Sequence, residues 1–193
     1  MPQRQDTKLL KRALLLEYIT IGWNILEGIV CILVGISTAS VSLLAYGLSS
    51  GVEIFASGVV VWDLKGANKQ REKIALKMIG FSYIIVAVYV FFDAIRSLLE
   101  GNHPDRTYIG ILILSCSATA MIIIGAAKYV VGKKMKSATV LADAKFTYVD
   151  AALSLAVLTG LAFNTIFGFW WMDPAMAIFL AGFAFREGLR EIL

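Results

Sequence analysis

Apolar residues along this chain come in long unbroken blocks separated by short polar stretches. A helix needs about 20 apolar residues, rising about 1.5 Å each, to cross a bilayer core. The pattern predicts six such helices, at residues 17–36, 41–62, 74–95, 108–131, 139–163 and 173–193. The last two blocks merge through residues 163–172. The split is placed at Asp173-Pro174, since Asp favours an N-cap and Pro the first helical position. The first block is too long for a cleaved leader and reads as a retained anchor. The expected fold is all-α: one transmembrane domain over residues 1–193, a six-helix bundle with no soluble C-terminal domain.

Composition agrees. Of 193 residues, 59% are apolar, 17% are charged, and the mean hydropathy is +0.76. Ordinary soluble domains carry about 25% charge. Two cysteines and one histidine exclude a disulfide framework and a Cys/His zinc fold. The net charge of +4 would suit nucleic acid on a soluble chain. Here its distribution gives another reading, and no nucleic-acid partner is expected.

The cations cluster. Arg4, Lys8, Lys11 and Arg12 precede the first span. Lys65, Lys69, Arg71, Lys73 and Lys77 lie around the second connection, and Lys128, Lys133, Lys134, Lys136 and Lys145 around the fourth. Arg186 and Arg190 close the chain, and only Arg96 and Arg106 fall on the opposite side. The positive-inside rule then predicts both termini in the cytoplasm, consistent with an even number of spans. Trp62 and the Trp170-Trp171 pair fall near predicted interfaces, where amphipathic rings settle.

Acids inside hydrocarbon are expensive, about 2.5–3.5 kcal/mol each on insertion scales. Counted from the predicted entry points, Glu27 lies about 18 Å deep, Glu53 about 16 Å and Asp150 about 18 Å. All three reach the midplane of a core about 30 Å thick. Further oxygens share their faces: Asn24 three residues before Glu27, Ser49 and Ser50 before Glu53, and Asp143 and Thr147 before Asp150. No Lys or Arg is predicted at that depth, so protons or a metal cation must supply the countercharge. The bland reading of one such acid is a protonated group hydrogen-bonded in the bundle. Three at one depth favour an ion site.

The other polar residues have plainer readings. Asp93 pairs with Arg96, Asp173 caps a helix, and Lys145 snorkels. Asp143 either gates the cytoplasmic side or pairs with a nearby Lys. His103, with Glu100 and Asp105, reads as a solvated loop residue. Cys31 and Cys116 read as packing residues, with Cys31 one turn from Glu27. Gly47-x-x-x-Gly51 is a candidate helix contact.

Three stretches carry a family resemblance. Ser42 to Ser57 (SLLAYGLSSGVEIFAS) resembles the second helix of the cation diffusion facilitators. Leu141 to Asp150 (LADAKFTYVD) resembles their fifth helix, and Asp173-Pro174-Ala175-Met176-Ala177 with Arg186-Glu187-Gly188 resembles their sixth. The resemblance covers nearly the whole chain and points to a transmembrane-only branch. It implies a homodimeric, proton-coupled exporter of divalent metal, most often zinc, with no enzymatic activity and no cofactor. The family's four ligand positions fall on Ser49, Glu53, Phe146 and Asp150, two of which carry no strong ligand. The expected metal set is therefore Glu53, Asp150 and Glu27 with Ser49 and Asn24 as neutral helpers; Asp143, Thr147 and Ser50 are secondary. Zn²⁺ is placed first, ahead of Mn²⁺ and Fe²⁺, which an oxygen-rich set also suits. The expected location is the cell (inner) membrane, as a multi-pass protein. Two other readings are a degenerate, non-transporting membrane module that regulates a partner, and a cation channel. A tight mid-membrane acid cluster disfavours the channel.

Overall fold

The computed structural model of the chain describes residues 2–37, 41–66, 69–101, 108–167 and 169–193. Across them it forms six helices: α1 (Pro2–Ser37), α2 (Val41–Gly66), α3 (Lys69–Glu100), α4 (Tyr108–Met135), α5 (Ala138–Phe167) and α6 (Met172–Ile192). Four carry segments long and apolar enough to cross a membrane: Thr7–Ser37, Tyr46–Gly66, Lys69–Glu100 and Tyr108–Met135. α5 carries Asp143, Lys145 and Asp150 within its first half, and α6 is the shortest of the six.

Most helices overrun the spans expected from hydropathy. α1 begins at Pro2, α3 runs from Lys69 to Glu100, and α4 continues to Met135. An apolar block marks depth in lipid, whereas a helix ends only where its backbone is diverted. α3 is followed by Gly101 at φ 62°, a left-handed position that glycine takes without a Cβ clash. α4 ends at Lys136, φ 54°, where Ser137 N–H reaches back to Gly132 O at 3.1 Å and turns the chain into α5. The α6 start departs from expectation. Its N-cap is Trp171, with no side-chain capping bond, so Asp173 lies inside the first turn and is not the cap.

α1, α2, α4 and α5 pack as one group, and α3 and α6 form a pair laid against α2 and α5. The α3–α6 pair meets at two glycines: a Cβ on Gly80 would lie 2.8 Å from Gly188 O, and one on Gly188 would lie 2.8 Å from Gly80 O. α1 and α2 approach at Gly28 and Gly47 in the same way. Gly51 has nothing within 4 Å, so the expected Gly47-x-x-x-Gly51 contact reduces to Gly47.

The bundle is apolar outside and buries several ionisable groups within its core. Leu33, Phe81, Phe92, Leu112, Ile123 and Phe179 are exposed, while Glu17, Asn24, Glu27, Glu53, Lys128, Asp143 and Asp150 are buried. A soluble globule shows the reverse arrangement, so this is a multi-pass integral membrane protein. The cation-bearing connections gather at one end. Lys65 lies over the Tyr18 ring, Arg71 over Trp62, and Ala138 N–H donates to Glu72 Oε1 at 3.3 Å. This is called the basic end below.

Candidate metal-binding site

α2 and α5 face each other at mid-bundle and bring together the positions that the family resemblance singled out. Ser49, Glu53, Phe146 and Asp150 line one small cavity, closed by Val86, Val149 and Leu153. Its volume is about 10 Å³, the space of about one water-sized sphere. Ser49 with Glu53, and Phe146 with Asp150, sit one helical turn apart, so each pair projects from one face.

The donors around this cavity are oxygens. Glu53 is 1% exposed and neither carboxylate oxygen is hydrogen-bonded; Thr147 and Asp150 are its polar neighbours. Asp150 Oδ2 accepts from the Tyr46 hydroxyl at 3.3 Å. That hydroxyl also lies 3.1 Å from Ser117 Oγ and contacts Ser154 Oγ. Ser49 donates to Tyr46 O at 2.7 Å, and Ser50 to the same carbonyl at 3.3 Å. Hydroxyls that donate back along their own helix keep lone pairs free for an incoming cation. A water-sized space between bare carboxylate oxygens and back-bonded hydroxyls suits a small hard or borderline cation.

Glu27 neighbours this pair, close enough for its charge to act on both Glu53 and Asp150. It is fully buried with both oxygens unbonded, faced by Ser117, Tyr46 and Trp23. Trp23 Nε1 in turn donates to Ser117 Oγ at 3.5 Å. Asn24 turns its amide to Thr20 O at 3.0 Å and leaves Oδ1 buried and unpaired. Among the described residues no three Cys, His, Asp or Glu side chains converge on one point. The expected grouping of three acids is thus a pair, Glu53 with Asp150, with Glu27 reached through Tyr46.

Several expectations are corrected. Lys128 does not belong to a solvated connection. It is fully buried and ion-paired with Glu17 at 2.9 Å and Asp143 at 2.5 Å, with Thr147 Oγ1 3.4 Å away. An internal cation therefore exists, and Asp143 is its partner. Lys145 does not simply snorkel: it pairs with Glu187 at 3.3 Å and Glu191 at 3.1 Å. Arg96 pairs with Glu100 at 2.8 Å rather than with Asp93. His103 and Asp105 lie outside the described residues.

Sequence reading overlooked Tyr46, Ser117, Ser154, Glu17 and Lys128. Tyr46 and Ser154 share helical faces with Glu53 and Asp150, seven and four residues away, and could have been found by that spacing. Lys128 is followed by Tyr129-Val130-Val131, so the apolar block continues past it, which was a signal of burial.

The fold and the buried acids define a multi-pass membrane protein with a buried pair of carboxyl groups at mid-bundle. A family profile described as the cation efflux transmembrane domain matches residues 18–193, so the chain belongs to the cation efflux family. Magnetosome protein MamB of Paramagnetospirillum magneticum is 27% identical over 173 residues, covering 82% of this chain and 57% of that protein. An uncharacterized transporter of Methanocaldococcus jannaschii is 26% identical over 178 residues, covering 84% and 61% respectively. Transmembrane protein 163 of Xenopus laevis is 21% identical over 193 residues, covering 95% and 67%. The chain spans 57% and 61% of the length of the first two relatives.

Proposed function

We propose that this chain moves a divalent metal cation across a membrane in exchange for protons, as the transmembrane part of an efflux transporter. The observation that carries the reading is the shared cavity of Ser49, Glu53, Phe146 and Asp150. Glu53 and Asp150 are the core ligands, Ser49 supplies a neutral oxygen, and Glu27 joins when the helices move. Buried carboxyls need a countercharge, which either protons or metal supplies. Metal entry then releases protons from the same oxygens, and this competition couples the two ions. Zn²⁺ is the first cargo on the family resemblance; the oxygen-only donors also admit Mn²⁺ and Fe²⁺. We further propose six spans, a cytoplasmic basic end, an inner-membrane location and a homodimer.

A second reading is supported by Ser49 and Phe146, which stand where stronger ligands are expected: a membrane module that binds a partner and carries nothing. Purified chain in proteoliposomes with an enclosed metal-sensitive dye separates the two. The transporter reading expects metal-driven signal above empty vesicles, lost in Glu53→Gln and in Asp150→Asn. Signal at the empty-vesicle level, with folded protein in the bilayer, overturns it.

A further inference from the structure

A second polar cluster lies between the Glu53–Asp150 cavity and the basic end. Lys128 Nζ stands 2.9 Å from Glu17 Oε2 and 2.5 Å from Asp143 Oδ2, with Thr147 Oγ1 at 3.4 Å and Ser57 Oγ at 3.5 Å. These groups come from α1, α2, α4 and α5, and all five side chains are 0% exposed. One ammonium faces two carboxylates, and Glu53 feels its charge as well. Glu17 Oε1 and Asp143 Oδ1 remain buried without a partner. The cluster thus offers two carboxyl groups to one ammonium and keeps two buried oxygens without a partner. Asp143 precedes Asp150 by two turns, about 10 Å along α5, so the cluster is the next polar station on the bundle axis.

We propose that Glu17 and Asp143 form a second divalent-cation site, occupied at rest by the chain's own Lys128 ammonium. A lysine suits this part. Its charge is compact, and its flexible four-carbon stem lets the head leave without moving the helix. A divalent ion arriving from the basic end meets two carboxylates and the hydroxyls of Thr147 and Ser57, an all-oxygen set. It brings one more charge than the ammonium, enough to balance both carboxylates once they are ionised. Lys128 is then a tethered competitor that limits metal entry, and with metal absent it keeps two buried carboxylates from standing alone. The proposal does not depend on what the Glu53–Asp150 pair carries or on transport.

Equilibrium binding of Mn²⁺ to the detergent-purified chain tests it, in a Glu53→Gln/Asp150→Asn background that removes the first site. Adding Lys128→Met is expected to create binding of about one further Mn²⁺ per chain, which Glu17→Gln with Asp143→Asn then abolishes. Mn²⁺ binding already present in the background supports the proposal if Glu17→Gln with Asp143→Asn abolishes it, and overturns the proposed first site if it survives them. Where Lys128→Met folds only with added Mn²⁺, that dependence supports the proposal. Absence of any Mn²⁺ binding that depends on Glu17 and Asp143, or failure to fold even in millimolar Mn²⁺, overturns it.

Discussion

The Tyr46 hydroxyl donates to Asp150 Oδ2 at 3.3 Å, joining α2 to α5 beside the cavity that Glu53 and Asp150 share. It gives one buried carboxylate a neutral donor without adding charge. Removing it by Tyr46→Phe keeps the ring and deletes the hydroxyl's contacts to Asp150, Ser117 and Ser154, for a loss of about 1–3 kcal/mol of metal-free stability. Metal affinity is expected to hold or rise, since the donor competes with the ion for Asp150. Thermal unfolding in detergent, with and without Zn²⁺, reads both signs; a fall in metal affinity would make Tyr46 a required ligand.

The weak ligand positions make a second test. Ser49→Asp adds a charged oxygen, and Phe146→His adds an imidazole, which zinc favours over harder cations. The pair is expected to raise Zn²⁺ affinity relative to Mn²⁺. It also has a structural cost, because the Phe146 ring packs edge-on to Tyr83 with centroids 4.5 Å apart. Losing that contact costs about 1 kcal/mol. Calorimetry on parent and double variant at one pH gives the ratio; an unchanged ratio means the two positions do not face the ion.

Packing of α3 on α6 is expected to be intolerant. Gly80→Ala places a methyl 2.8 Å from Gly188 O, and backbone must move to admit it. Overpacking of this kind costs about 1–3 kcal/mol. Gly58→Ala, with nothing within 4 Å, serves as the matched control and should leave the melting temperature level or slightly higher. Equal effects at the two sites would show that the glycine contact is not tight in the membrane-extracted protein.

The α4–α5 turn holds Lys136 at φ 54°, a left-handed conformation that disfavours a side chain by about 1 kcal/mol. Lys136→Gly is expected to relieve that strain and to raise stability by up to about 1 kcal/mol, read by thermal unfolding in detergent. A drop in stability would indicate that the lysine side chain has a contact worth more than the strain.

Topology can be read by labelling. In a chain without Cys31 and Cys116, single cysteines at Lys69 and Lys134 should react with an impermeant reagent only from the cytoplasmic side. Labelling of either from outside reverses the proposed orientation of the basic end.

How much was legible varied from residue to residue. Glu27, Glu53 and Asp150 could be singled out because distance along a helix is residue count times a fixed rise, and the structure buries all three. Glu53 and Asp150 share a cavity as the family pattern implied, since residues one turn apart must point the same way. Helix ends were less legible: Lys69 and Met135 lie well beyond the apolar blocks, because charge ends a hydrophobic run without ending a helix.

Lys128 shows where counting along the chain stops. Its number places its backbone near the basic end, beside Lys133 and Lys134. Its head nevertheless turns inward, because α1 and α5 present Glu17 and Asp143 to it. Glu27 meets Ser117, Trp23 and Tyr46, contacts that counting along α1 does not give. Depth is a one-dimensional quantity that each helix carries in its own residues. Which groups touch at that depth depends on how each helix is rotated about its axis and on how far its side chains reach, and packing against the other helices sets both.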